Sequence, residues 1–110
     1  MSKYKFRFVK EAEQEYDAAA LYYAENGGID VAERFIIKVD TVIEMLEMYP
    51  NAGDNLKEIP GVKSARVPKY PYRIFYTVNK DGLEVIGISV YHSKRDLDNL
   101  IPGLEKRFSP

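Results

Sequence analysis

The chain has 110 residues, 45% of them hydrophobic and 30% charged, the size and composition of one soluble globular domain over residues 1–110. It has no cysteine and one histidine, which excludes disulfides, thiolate zinc sites and histidine-rich metal sites; nothing implies a metal or a cofactor. Net charge is −1 but uneven. Residues 1–55 carry 6 Lys/Arg against 11 Asp/Glu, and residues 56–110 carry 10 against 6, so a local basic patch is compatible with the composition and a broadly polyanion-binding protein is not.

The start, Met1-Ser2-Lys3-Tyr4, lacks a signal-peptide core, and no apolar run reaches the roughly 18 residues of a membrane span. Cytoplasmic residence without a membrane partner is the expectation. Lys3, Lys5 and Arg7 alternate with Tyr4, Phe6 and Phe8, the period of a half-buried strand. From Glu11 to about Asn26, Ala12, Tyr16, Ala19, Ala20 and Tyr23 fall at helical spacing, and Asn26-Gly27-Gly28 ends that helix. The acidic residues Glu11, Glu13, Glu15 and Asp17 read as its solvated, N-terminal side.

Asp30 with Glu33 suggests the cap of a second helix. Ala32, Phe35, Ile36, Val39, Val42, Ile43 and Leu46 carry its stripe, and Pro50 stops it. The two-glycine connection forces an antiparallel helical hairpin. The period then becomes two, giving strands over Val62–Val67, Tyr72–Asn79 and Leu83–Tyr91, with Lys80-Asp81-Gly82 as a turn and Pro68 and Pro71 bracketing the earlier connection. Asp96 to Leu104 adds a short helical turn, interrupted by Pro102-Gly103. The order β-α-α-β-β-β predicts an α+β domain, a helical hairpin on one face of a small, mostly antiparallel four-stranded sheet. The other face is expected to stay open.

Function is therefore sought on that face. Alternation divides Ile74, Tyr76 and Val78 from Arg73, Phe75 and Thr77, and Ile86, Ile88 and Val90 are expected against the helices. If Ile74 is core, Arg73 lies outward with Tyr91. Lys57, Lys63, Arg66, Lys69, Arg73, Lys94 and Arg95 could line one edge, interleaved with Tyr70, Tyr72 and Tyr91. Each also has a plainer reading, as a solvated surface cation or a sheet-covering ring. His92 is either the cap of a strand end or an acid–base group, a role imidazole suits near neutral pH.

The element order, the Leu46-x-x-x-Pro50-x-x-Gly53 helix exit, the Tyr72-Arg73-Ile74-x-Tyr76 strand and His92-x-x-Arg95 together resemble the RelE/ParE superfamily of type II toxins. The likeness covers nearly the whole chain. It implies a cognate antitoxin as partner, a toxin–antitoxin hetero-oligomer, and one of two activities. RelE-like members are ribosome-dependent mRNA endoribonucleases; ParE-like members inhibit DNA gyrase without a nuclease role.

In the RelE-like case the resemblance implies Arg73, His92 and Arg95 as catalytic residues, with Lys63, Arg66, Lys69, Tyr91 and Lys94 binding RNA or another target. RNA cleavage needs a 2′-hydroxyl deprotonated, the phosphate charge stabilised and a leaving oxygen protonated. The RelE-like pattern has a late tyrosine, but this chain has none after Tyr91, and Ser93 follows His92 where nuclease members carry an aromatic residue. The His92-x-x-Arg95 ending looks more ParE-like. In that reading no catalytic group is required and Arg73 pins the loop around Pro68–Pro71. A non-toxic peptide-binding relative is the third alternative.

Overall fold

The computed structural model describes residues 3–94 and 97–108, without the side chains of residues 97 and 98. Strand β1 (Lys5–Phe8) leads into helices α1 (Lys10–Gly27) and α2 (Ile29–Met48), then β2 (Asp54–Asn55), β3 (Val62–Arg66), β4 (Tyr72–Asn79), β5 (Glu84–His92) and helix α3 (Leu97–Phe108). The sheet order is β1-β5-β4-β3-β2, with β1 parallel to β5 and the other pairings antiparallel. The α+β architecture is the predicted one, with one strand more. Strand β2 has only two residues, both exposed, pairing Asp54 with Ser64 and Asn55 with Lys63. Such a segment carries no apolar alternation to announce it.

Gly28 alone joins the two helices, at φ 90°, a left-handed conformation that glycine adopts freely. It is also the N-cap of α2. Asp30 makes no capping bond, contrary to the predicted capping arrangement, and lies in the first turn, where the helix dipole still favours a carboxylate. The α2 stripe is buried as expected: Phe35, Val39, Val42 and Leu46 join Ala19 of α1 and meet Ala65, Val67, Ile74, Tyr76 and Val85 of the sheet. Each large apolar group removed from water there contributes about 1.5–3 kcal/mol.

Two expectations fail on β5 and on the far face. Ile86, Ile88 and Val90 do not share one side. Phe75 pairs with Ser89 and Tyr76 with Gly87, so Ile88 is the extra residue of a β-bulge and the alternation shifts there. Ile86 and Ile88 pack on the side away from the hairpin, whereas Val90 lines a cleft with Ala18 and Ala19 of α1. Gly87 marks the place: an added Cβ would meet Phe8 at 2.6 Å and Phe6 at 2.7 Å.

Nor is the second face open throughout. Helix α3 runs through Pro102 to Phe108, and its buried Leu100 and Leu104 form a second core with Ile59, Val62, Phe75 and Ile88. An interior proline costs about 3 kcal/mol. Burial of two leucines offsets that, at about 1.5–3 kcal/mol each, so the helix continues past the point where sequence rules stop it.

Candidate functional site

The β3–β4 connection is held by short backbone bonds: Val67 N–H to the Tyr72 carbonyl at 3.0 Å and Tyr70 N–H to the Val67 carbonyl at 3.2 Å. Ser93 N–H donates to the Pro71 carbonyl at 2.8 Å, fastening the end of β5 to the same loop. Beside it lies a groove of about 550 Å³ lined by Arg66, Lys69, Tyr70, Pro71, Tyr72, Arg73 and Ser93. Three of the predicted cations therefore converge. Arg66 and Arg73 face each other across β3 and β4, a like-charge pairing that works against the sheet.

Arg73 is partly engaged. Its Nε and Nη2 donate to Ser64 Oγ at 3.2 and 3.0 Å, and Nη2 also reaches Asp54 Oδ2 at 3.0 Å. It thus ties β4 to β3 and the short β2, rather than the Pro68–Pro71 loop that the ParE-like resemblance implies for it.

Tyr72 divides this groove from a second, aromatic cleft. Tyr22, Tyr23, Pro71, Tyr72 and His92 line about 380 Å³, and an adjoining hollow is bounded by Glu15, Ala18, Ala19 and Val90. Tyr23 stands 5.3 Å from Tyr70 and 6.3 Å from Tyr72, ring to ring, and Phe35 backs both. Burial pushes the Tyr23 hydroxyl above its ordinary pKa, with the neighbouring Tyr72, Tyr70 and Tyr22 adding to the effect. His92 packs edge-on to Tyr72 at 5.2 Å, and its Nδ1 accepts the Lys94 N–H at 3.2 Å. That assignment leaves Nε2 to carry the proton of the neutral ring. His92 pairs with Tyr72 and Arg73 with Tyr91, so strand alternation sends the Arg73 and His92 side chains to opposite faces of the sheet.

The remaining predicted residues are dispersed. Lys63 donates to Asn55 Oδ1 at 2.7 Å, on the β2 side. Tyr91 joins the core beneath α3, its ring 6.5 Å from Phe75. Lys94 is exposed and lines none of the clefts described above. Arg95 lies outside the described residues.

Glu15 is not simply solvated: its Oε1 accepts from Ser89 Oγ at 3.0 Å, Val90 N–H at 3.1 Å and Arg107 Nη1 at 2.8 Å. Arg107 Nη1 also reaches the Ile88 carbonyl at 2.9 Å, so α1 and α3 are clasped at the bulge. Nothing in an acidic helix side distinguishes such a residue beforehand.

The model of the ParE toxin of the type II toxin–antitoxin system parDE matches residues 6–97. The chain belongs to that family. This ParE-family chain is therefore a type II toxin of the RelE/ParE superfamily. No curated protein matches it by sequence. Among solved structures it is similar to the chromosomal ParDE TA system from P. aeruginosa, at 18% identity and TM-score 0.71, over 84% of this chain and 98% of that one. A YoeB/ParE toxin from Agrobacterium tumefaciens gives 19% identity and 0.60, over 80% and 96%. The isolated E. coli RelE toxin gives 21% and 0.56, over 90% and 96%. At such identities these likenesses speak for the shared fold. Among the described residues, no helix is long and apolar enough to cross a membrane.

Proposed function

We propose that this ParE-family toxin acts in the cytoplasm as a gyrase inhibitor, by binding rather than by catalysis, and that a cognate antitoxin neutralises it in a hetero-oligomer. The observation that carries this reading is the separation of Arg73 from His92. Arg73 lines the cationic groove and His92 the aromatic cleft, with Tyr72 between them. Strand alternation also sends the two side chains to opposite faces of the sheet, which disfavours proton transfer by His92 to a phosphate held by Arg73, since that transfer needs hydrogen-bond reach. The lack of any tyrosine after Tyr91 supports the same reading. An antitoxin partner is in keeping with the family and with solved relatives such as the intact E. coli RelBE toxin–antitoxin complex.

The convergence of Arg66, Lys69 and Arg73 favours one other reading, a ribosome-dependent endoribonuclease whose phosphate site is this groove. Two assays on the purified chain separate them. The proposal expects loss of gyrase supercoiling and intact mRNA on programmed ribosomes. Cleaved mRNA, with cleavage abolished in Arg73→Ala and His92→Ala, would establish the nuclease instead.

A further inference from the structure

A carboxylate of the chain itself reaches one arginine of the cationic groove without lining it. Asp54 stands on the two-residue strand β2, with its side chain 83% exposed, and meets Arg73 Nη2 at 3.0 Å. Ser64 Oγ holds the same guanidinium from below. No carboxylate pairs with Arg66 or Lys69 among the described residues, although Arg66 faces Arg73 directly. Lys69 adds a further sign of a built site. It is held at φ 72°, where glycine sits freely and lysine does not, in the loop that forms the groove wall. The fold thus keeps a strained lysine and two opposed arginines together, with one solvent-facing carboxylate as counterion.

We propose that Asp54 is a built-in competitor for this groove, displaced when an acidic segment of a partner protein places its own carboxylate on Arg73, Arg66 and Lys69. The adjoining cleft of Tyr22, Tyr23, Tyr72 and His92 takes an apolar or aromatic side chain of the same segment. That the ligand is protein rests on the proposed function; the competition by Asp54 does not. The chain's overall charge of −1 favours a short acidic segment over a long polyanion.

The test is fluorescence anisotropy of the full chain with labelled hexaglutamate and with labelled hexauridylate, at low salt. Asp54→Asn keeps an acceptor for Arg73 but removes the charge, and tightens hexaglutamate binding by up to about fivefold, the range of an exposed ion pair. Lys69→Gly weakens binding severalfold while leaving the thermal midpoint unchanged or raised, because glycine relieves the left-handed backbone. Binding unchanged or weakened by Asp54→Asn overturns the competitor role. A lowered midpoint with unaltered binding in Lys69→Gly removes Lys69 from the site. Binding of hexauridylate but not of hexaglutamate overturns the assignment to a protein segment without touching the gyrase assay.

Discussion

On the face of the sheet away from the helical hairpin, β3 and β4 build two surfaces within a few residues of each other. Val62 and Phe75 lie under α3, in a core closed by Ile88, Leu100 and Leu104. Ser64, Arg66 and Arg73, on the same strands, lie beyond that cover and border the groove. The side chains point the same way; only the reach of α3 differs. A covered position selects apolar volume, whereas the uncovered one tolerates two arginines in opposition because water screens them. A helix that covers half a face thereby decides which half is available to a partner.

That contrast can be broken most severely at Phe75. Phe75→Ala should cost about 3–5 kcal/mol in urea denaturation, through lost burial and the cavity left behind. If it costs less than 1 kcal/mol, α3 does not seal this half. Glu15→Ala removes the acceptor shared by Ser89, Val90 and Arg107, and should cost about 1–3 kcal/mol. A double-mutant cycle with Arg107→Ala should show strong coupling, and additivity would mean that the clasp is not formed.

Beneath the hairpin, the Tyr76 hydroxyl donates to the Pro50 carbonyl at 2.8 Å and accepts the Gly53 N–H at 2.9 Å. Tyr76→Phe should cost about 1–2 kcal/mol. Burial raises the pKa of this hydroxyl, helped by Asp54 and opposed by the Gly53 hydrogen bond. Above about pH 10 an unfolded tyrosine loses its proton while the native one keeps it, so stability falls as pH rises through that range. The fall should be shallower in Tyr76→Phe; equal slopes would assign it to Tyr16 and Tyr23, whose hydroxyls burial also raises.

Smallest of all should be Arg73→Ala, at under about 1 kcal/mol, because its partner Asp54 is almost wholly exposed. A loss as large as that at Phe75 would make Arg73 a structural residue first.

Much of this was legible beforehand because periodicity reports burial. The α2 stripe, the strand at 72–79 and the outward direction of Arg73 followed from apolar spacing alone. What escaped notice were features whose signal lies elsewhere in the chain. The β5 alternation shifts because of a bulge at Ile88, hinted at only by Gly87. Helix α3 survives Pro102 because the sheet offers Leu100 and Leu104 a place to bury. At the site, Arg66, Lys69 and Arg73 of the seven cations expected along one edge line one groove, while His92, expected beside Arg73 only in the RelE-like case, lines another cleft, since a one-residue step on a paired strand changes faces. Asp54 and Glu15 were invisible as participants, their partners being 19 and 74 or more residues away in sequence.

The most direct measurement is gyrase supercoiling titrated with the purified chain and with an Arg66→Glu/Lys69→Glu double variant of matched thermal stability. Inhibition by the native chain, weakened at least about tenfold in the variant, is the predicted result, corresponding to about 1.4 kcal/mol of lost binding. Unimpaired supercoiling at saturating native chain, or equal inhibition by both proteins, would contradict a gyrase inhibitor that acts through the cationic groove.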